Sequence, residues 1–372
     1  MLIKEVKYCY EDIAIIPAIQ SNTEHRAEGN PYDKDGNLPI FTAPMSTVVN
    51  EENFGLFEEN NIIPILPRNF PFGQRIDYLK RGKWATVSLQ EFEELFINHD
   101  WNLNKYNVNV LIDIANGHMS KLCALIYEAK LKYEFDYRLC IMAGNIANAM
   151  AYYELANAGC DACRMSIGTG EGCLTWTKLG VGYPIASLID ETYKIKKQLA
   201  HMGKNTPLII ADGGVRETRD VMKALALGAD YVMIGGLFSK LVESAAPTFY
   251  YEKDGTVIDI NPFENEITEL GNGSFRIKND VSNFMIDNLH KVFYGMASKR
   301  GQEDIQGEKK KTSEGTEKVF ECTTNLHKWK KNMVEYIQSA MSYINCFTLE
   351  DINPERVDCC LVSQSTRESI NK

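Results

Sequence analysis

Eight short apolar runs, most of them ending in a polar or glycine-rich turn, limit this chain more than any other feature. They occupy 39–43 (PIFTA), 62–66 (IIPIL), 84–89 (WATVSL), 108–114 (VNVLIDI), 138–143 (RLCIMA), 162–167 (ACRMSI), 208–211 (LIIA) and 231–234 (YVMI). Continuous apolar runs suit strands covered on both faces, as in a parallel sheet. Between most of them lie amphipathic segments of helical length, 148–158 and 217–227 among them. Eight strands in that rhythm are what a closed α/β fold, the (β/α)8 TIM barrel, requires. A doubly wound open sheet is the alternative architecture. The count favours the barrel, expected over 1–354 as a single domain, with a polar C-terminal tail at 355–372 that is expected to be poorly ordered.

With 372 residues, 44% of them apolar, the chain can fill such a core. A net charge of −10 argues against a nucleic-acid footprint. No run is long enough to cross a bilayer, and the opening MLIKEVKYCYEDIAIIP lacks the basic-then-apolar form of a signal peptide. Ten cysteines without secretory features point to free thiols in a reducing compartment, so a cytoplasmic location is expected. Cys160-x-x-Cys163 has no second pair and no histidine at ligand spacing, which favours burial over metal or redox use.

Polar and glycine residues collect just after the strands, at the end of a barrel where active sites form. They include Met45 and Ser46, Arg68 and Asn69, Asp113 with Asn116 and Gly117, and Gly144 with Asn145. The richest of these turns follows the sixth strand: M-S-I-G-T-G-E-G-C-L-T-W-T-K-L-G-V-G-Y-P at 165–184. Gly168, Gly170 and Gly172 lead into Cys173, with Thr175 two residues on. Glycines let a backbone approach a ligand where a Cβ would clash, and a cysteine ending such a loop is presented as a nucleophile. The last two turns, Asp212-Gly213-Gly214 and Gly235-Gly236, fall where barrels commonly hold a phosphate on backbone N–H groups.

These residues resemble the IMP dehydrogenase/GMP reductase family of purine nucleotide enzymes, collinearly and over most of the chain. The matching pieces are A-P-M-S-T-V at 43–48, D-I-A-N-G-H at 113–118, A-G-N-I at 143–146 and the G-x-G-x-G-x-C-x-T loop ending at Thr175. G-V-G-Y-P at 180–184, A-D-G-G-V-R at 211–216 and G-A-D-Y-V-M-I-G-G at 228–236 follow, then F-Y-G-M-A-S at 293–298 and S-E-G at 313–315. The resemblance implies an oxidoreductase in which Cys173 attacks C2 of the purine while Thr175 and Glu314 protonate a departing amine. It implies that Asp212 holds the ribose and that Gly213, Gly214, Gly235 and Gly236 hold the 5′-phosphate. Gly295, Met296 and Ser298 complete the substrate contacts, and Asp113, Asn116 and Gly117 face the nicotinamide of NADPH. It also implies a monovalent cation such as K+ on backbone carbonyls of Gly168, Gly170 and Cys173, and a homotetramer. For single residues plainer readings stay open, a strand-end cap for Asp113 and a solvated charge for Glu314.

Within the family the wording D-I-A-N-G, F-Y-G-M and S-E-G is closer to the reductases. A dehydrogenase usually carries a CBS module pair after the second strand, and 62–84 leaves no room for one. It also needs a flap with an Arg-Tyr pair, whereas KRGQEDIQGEKKKT between Ser298 and Ser313 contains no tyrosine. GMP reductase, converting GMP to IMP and ammonia with NADPH, is the reading; NADH in its place stays open. So do an IMP dehydrogenase without the CBS pair and a member acting on another purine nucleotide or nucleoside.

Two residues depart from the family pattern. Glu171 stands where a serine is usual and Trp176 where a basic residue is usual. A carboxylate about 4 Å from a phosphate costs on the order of several kcal/mol, so Glu171 is expected to turn outward to Arg216 or Arg219 or to be bridged by a cation. The stretch 250–290 exceeds a typical barrel loop by roughly thirty residues. Its Asp254-Gly255 and Gly271-Asn272-Gly273 turns predict an inserted β excursion, followed by an active-site flap at 299–318.

Overall fold

The computed structural model describes residues 5–170, 172–271, 273–278, 283–306, 312–313 and 315–370. Among them eight parallel strands form one sheet: β1 (Ile40–Thr42), β2 (Ile65–Leu66), β3 (Trp84–Val87), β4 (Val108–Asp113), β5 (Leu139–Ile146), β6 (Ala162–Met165), β7 (Leu208–Asp212) and β8 (Tyr231–Ile234). Each pairs with its sequence neighbour from β2 to β8, and β8 pairs with β1 in the register Ile40↔Val232, Phe41↔Met233, Thr42↔Ile234. A parallel bridge between Phe41 and Ile63 closes the ring, with the Thr42 N–H on Ile63 O and the Ile63 N–H on Ile40 O, both at 3.0 Å. The protein is a (β/α)8 TIM barrel.

Alternation along each strand explains why the runs are apolar throughout. Phe41, Ala43, Ile65, Leu111, Met142, Ala162, Ile210 and Met233 point inward and form a buried plug. Their neighbours Ile40, Val110, Ile112, Ile141, Ile209, Val232 and Ile234 face the helices and belong to the larger outer core. Cys160 and Cys163 are both fully buried, and all ten cysteines are free.

Element ends follow local chemistry. The run at 62–66 is a bridge and a two-residue strand, because Pro64 has no N–H for the ladder. The run at 84–89 stops at Val87, since Ser88 caps the next helix: its hydroxyl accepts the Glu91 N–H while Glu91 accepts the Ser88 N–H. The two helices expected from periodicity form as Ala149–Asn157, capped by Asn148, and Thr218–Ala226. Between β2 and β3 the chain makes only the helix Phe72–Lys80.

Beyond β8, antiparallel strands build a side structure. β9 (Thr248–Tyr251), β10 (Val257–Ile260), β14 (His290–Tyr294) and β15 (Glu317–Glu321) share one sheet, and β11 (Glu266–Gly271), β12 (Ser274–Lys278) and β13 (Asn283–Asp287) another. Gly255 at φ +87° makes the first hairpin turn, with the Glu252 N–H on Thr256 O at 2.8 Å. Lys291 of β14 is fully buried, its ammonium donating to Val242 O at 2.7 Å and Ser244 O at 3.2 Å.

The C-terminal segment corrects one expectation. Cys359–Leu361 pairs antiparallel with Ile13–Ile15, Val357 is buried, and Arg367 forms an ion pair with Asp12. Apolar residues inside an otherwise polar stretch find a partner strand at the other end of the chain.

Candidate active site

After β6 the backbone leaves the barrel abruptly. Ser166 takes φ +140° and Gly168 φ +91°, values that few side-chain-bearing residues adopt. The loop is then folded back by Trp176. A Cβ on Gly168 would lie 2.9 Å from the Trp176 Cβ, and one on Gly182 would lie 2.9 Å from its ring. The two glycines thus make room for the indole, which accounts for a tryptophan at this position.

Cys173 is half-buried at the turn into the short helix Thr175–Leu179, and its thiol donates to Thr175 Oγ1 at 3.3 Å. A second segment clamps the loop. Cys173 makes an antiparallel bridge with Gly315, and the Thr316 N–H donates to Gly172 O at 3.1 Å. On the other side a Cβ on Gly172 would meet the Phe293 ring at 3.0 Å, while Gly172 O lies 3.2 Å from where a Gly295 Cβ would be. The expected nucleophile is therefore seated between the cysteine loop and the flap segment. Glu171 and Glu314 lie outside the described residues; Arg216, one expected partner of Glu171, lies 4.0 Å from Glu11.

The acidic strand ends meet on an arginine. Arg164 of β6, 8% exposed, donates to Asp113 Oδ1 at 2.5 Å and to Asp212 Oδ2 at 2.9 Å. Asn145 donates to the same Asp212 oxygen at 2.7 Å, and Arg68 stands 3.5 Å from Asp113 Oδ2. Burial works against the guanidinium charge, but the two carboxylates outweigh it and hold Arg164 protonated more firmly than usual. Gly144 lies beside it in the register, where a Cβ would come within 2.5 Å of the Arg164 Cβ. Sequence reading missed Arg164, which passed for a strand interior. The signal was a cation in an apolar run, with aspartates ending the strand next to it and the strand two places away.

The glycine turns gather on the same rim. Gly213 and Gly214 have φ of +84° and +77°, and a Cβ on Gly213 would lie 3.1 Å from Gly170 N and from Thr169 Oγ1. The Asp212 turn thus abuts the cysteine loop. Asp220 steadies it by accepting the Arg216 and Glu217 amides. Gly235 abuts Met45 Sδ, 3.1 Å from its would-be Cβ, and Gly236 opens the helix Gly236–Ser239. Gly170 O accepts the Cys173 N–H at 3.0 Å. Gly117 donates to Asn145 O at 2.8 Å, and Asn116 is exposed, its side chain accepting the His118 amide.

Ser298 is buried, and its hydroxyl caps the helix Lys299–Gln306 by accepting the Gly301 N–H at 3.0 Å. Met296 is half-buried beside Gly301. That helix reaches across to the β1 turn. Asp304 accepts the Tyr294 hydroxyl at 2.7 Å and the Ser46 hydroxyl at 3.1 Å. Burial, then the Asp304 carboxylate, pushes the Tyr294 hydroxyl up to about 12. The Tyr294–Asp304–Ser46 contact joins the β14 end and the following helix to a turn 258 residues before Asp304 and was not legible beforehand.

A barrel whose sixth strand presents a cysteine loop between two glycine turns defines a class of enzymes that work on a bound small molecule at the C-terminal rim. Residues 7–259 match the IMP dehydrogenase / GMP reductase domain, and the chain belongs to that family; it is an enzyme of the oxidoreductase class. Among curated relatives, a protein named GMP reductase from Bacillus licheniformis is 29% identical over 368 residues, 96% of either chain. Another of that name from Bacillus anthracis has the same identity and coverage. One from Staphylococcus epidermidis is 34% identical over 259 residues, 66% of this chain and 74% of its own. No helix among the described residues is long and apolar enough to cross a membrane.

Proposed function

We propose that the protein is a GMP reductase, converting GMP to IMP and ammonia with NADPH through a covalent intermediate on Cys173. The observation that carries this reading is the seat of the Cys173 thiol, 3.3 Å from the Thr175 hydroxyl and bridged to Gly315 beside the flap. A thiolate is the strongest nucleophile a side chain offers near neutral pH, and C2 of a guanine carries an amine that leaves only when protonated. In this scheme the Cys173 sulfur bonds to C2, Thr175 with Glu314 passes a proton to the departing amine, and ammonia leaves a thioimidate. The nicotinamide cofactor, when bound, supplies the hydride that reduces this carbon. Cys173 then leaves as thiolate and IMP is free.

The residues present fit such ligands. Asn69 Oδ1, an acceptor after β2, is buried without a hydrogen-bond partner, as are Thr47 Oγ1 after β1 and Thr316 Oγ1 beside the cysteine loop, and Arg68 Nε, 3.5 Å from Asp113 Oδ2, adds a donor. A carboxamide-bearing ring needs both kinds of group. In this reading Asp113, Asn116 and Gly117 line the nicotinamide end, and Arg164 holds the Asp113 and Asp212 carboxylates in orientation. Asp212 receives the ribose hydroxyls on the oxygen that Arg164 and Asn145 leave open. Gly213, Gly214, Gly235 and Gly236 receive the phosphate, with Gly295, Met296 and Ser298 shaping the base pocket. A potassium ion on the carbonyls of Gly168, Gly170 and Cys173, a tetramer and a cytoplasmic location complete the proposal.

The test is ammonia release and NADPH oxidation with GMP, in the wild type and in Cys173→Ser. Turnover should vanish in the variant while GMP binding stays within about threefold, because serine at neutral pH lacks the thiolate's reactivity. Substantial turnover by Cys173→Ser, or efficient oxidation of IMP to XMP by the wild type, refutes it.

A further inference from the structure

The other end of the barrel has a feature that the proposed reaction does not use. A cavity of about 390 Å³ opens at the N-terminal mouth, within the size range of small-molecule sites. Phe41, Trp84 and Tyr231 are among its walls. Phe41, 3% exposed, meets Trp84 edge-on at 5.7 Å between ring centroids and Tyr231 at 5.2 Å, so it braces from below the two half-buried rings that line the cavity. Asp33, Asp35 and Glu58 also line it, against the single ammonium of Lys83, which leaves an excess of negative charge.

These carboxylates differ in how they are held. Asp33 is fully engaged: Oδ1 accepts the Asp35 and Asn37 amides and Oδ2 accepts the Tyr231 hydroxyl at 2.8 Å. Glu58 pairs with Lys83 at 2.6 Å. Asp35 is exposed, and among the described residues its carboxylate has no hydrogen-bond or ion-pair partner; the Trp84 indole N–H likewise has none. Aromatic faces attract cations through their quadrupole, and uncompensated carboxylates attract them through charge. Neither feature suits an anion, and the rings give no purchase to a hydrated metal ion.

We infer that this mouth is a binding site for a small organic cation, an alkyl ammonium or guanidinium whose apolar stem lies on Trp84 and Tyr231 and whose charge meets Asp35 and Glu58. The buried plug of Leu111, Met142, Ala162, Ile210 and their neighbours separates it from the C-terminal rim, so its ligand does not share space with the nucleotide.

Isothermal titration of the full chain at low salt with putrescine tests this, with 1,4-butanediol as a neutral probe of equal length and calcium ion as a metal probe. Putrescine should bind saturably at one site and butanediol should not. Saturating GMP should leave the putrescine affinity unchanged. Asp35→Asn should weaken binding about fivefold, and adding Glu58→Gln should weaken it further, while GMP binding is kept in both. Asp35 is exposed and holds nothing else, so its variant should fold. The inference is overturned by any of four results: no saturable putrescine heat, equal binding of butanediol, binding by calcium alone, or displacement of putrescine by GMP. An unchanged affinity in Asp35→Asn overturns it as well.

Discussion

Removing the Arg164 charge should destabilise the fold far more than an ordinary polar substitution. Its guanidinium lies 2.5 Å from Asp113 and 2.9 Å from Asp212, with both carboxylates 15% exposed. At an effective dielectric of about 20, each contact is worth on the order of 6 kcal/mol before desolvation is subtracted. Desolvation takes back most of that, and breaking a buried pair by deleting one partner costs about 3–5 kcal/mol, chiefly through the charge left behind. Here two charges are left, so Arg164→Leu should lose stability at the upper end of that range. Arg164→Lys should recover only part, because one compact ammonium cannot present two divergent N–H groups to carboxylates on different strands. Urea unfolding followed by far-ultraviolet circular dichroism at neutral pH and fixed salt gives both numbers. A loss below about 1 kcal/mol in Arg164→Leu would show that the network is solvated and would sink the argument.

Asp304→Asn should loosen the flap by weakening its contacts with Tyr294 and Ser46; kcat/KM for GMP should fall about tenfold with the melting temperature nearly unchanged, and equal kinetics in variant and wild type would remove the contact from the mechanism. Burial lowers Lys291 to about 8, against 10.5 when exposed, so the folded state sheds this proton first as pH rises. Unfolding free energy should therefore climb between about pH 8 and 10.5, by on the order of 3 kcal/mol from this group, relative to Lys291→Met. Parallel pH profiles for the two proteins would refute it.

What was legible beforehand was what a local pattern carries. The apolar runs gave all eight strands, since a strand packed on both faces has to read as a run, and amphipathic periodicity marked two helices within a residue of their ends. The Cys173 loop was legible because glycines at alternate positions have few other uses. Pairings between distant segments left no such mark. Nothing in A-C-R-M-S-I says that Arg164 will reach Asp113 and Asp212, and nothing in Q-E-D-I says that Asp304 will accept from Ser46, 258 residues away. The strand at Cys359–Leu361 was hidden for the same reason: three residues of weak pattern become a strand only when Ile13–Ile15 lies alongside. Pro64 was visible, but its effect depends on which amide the ladder needs.

That proline has a mechanical consequence. Seven of the eight joints around the barrel are strand ladders, while the joint between β1 and β2 is a bridge at Phe41 and Ile63 helped by the Thr42 hydroxyl, which accepts the Ile65 N–H at 3.0 Å. A hoop under stress parts at its thinnest weld. Ser46, which holds the flap helix through Asp304, stands four residues beyond the end of β1, so flap and seam hang from the same short strand. A load carried from Asp304 to Ser46 therefore enters the barrel at β1, beside the joint that has the fewest ladder hydrogen bonds.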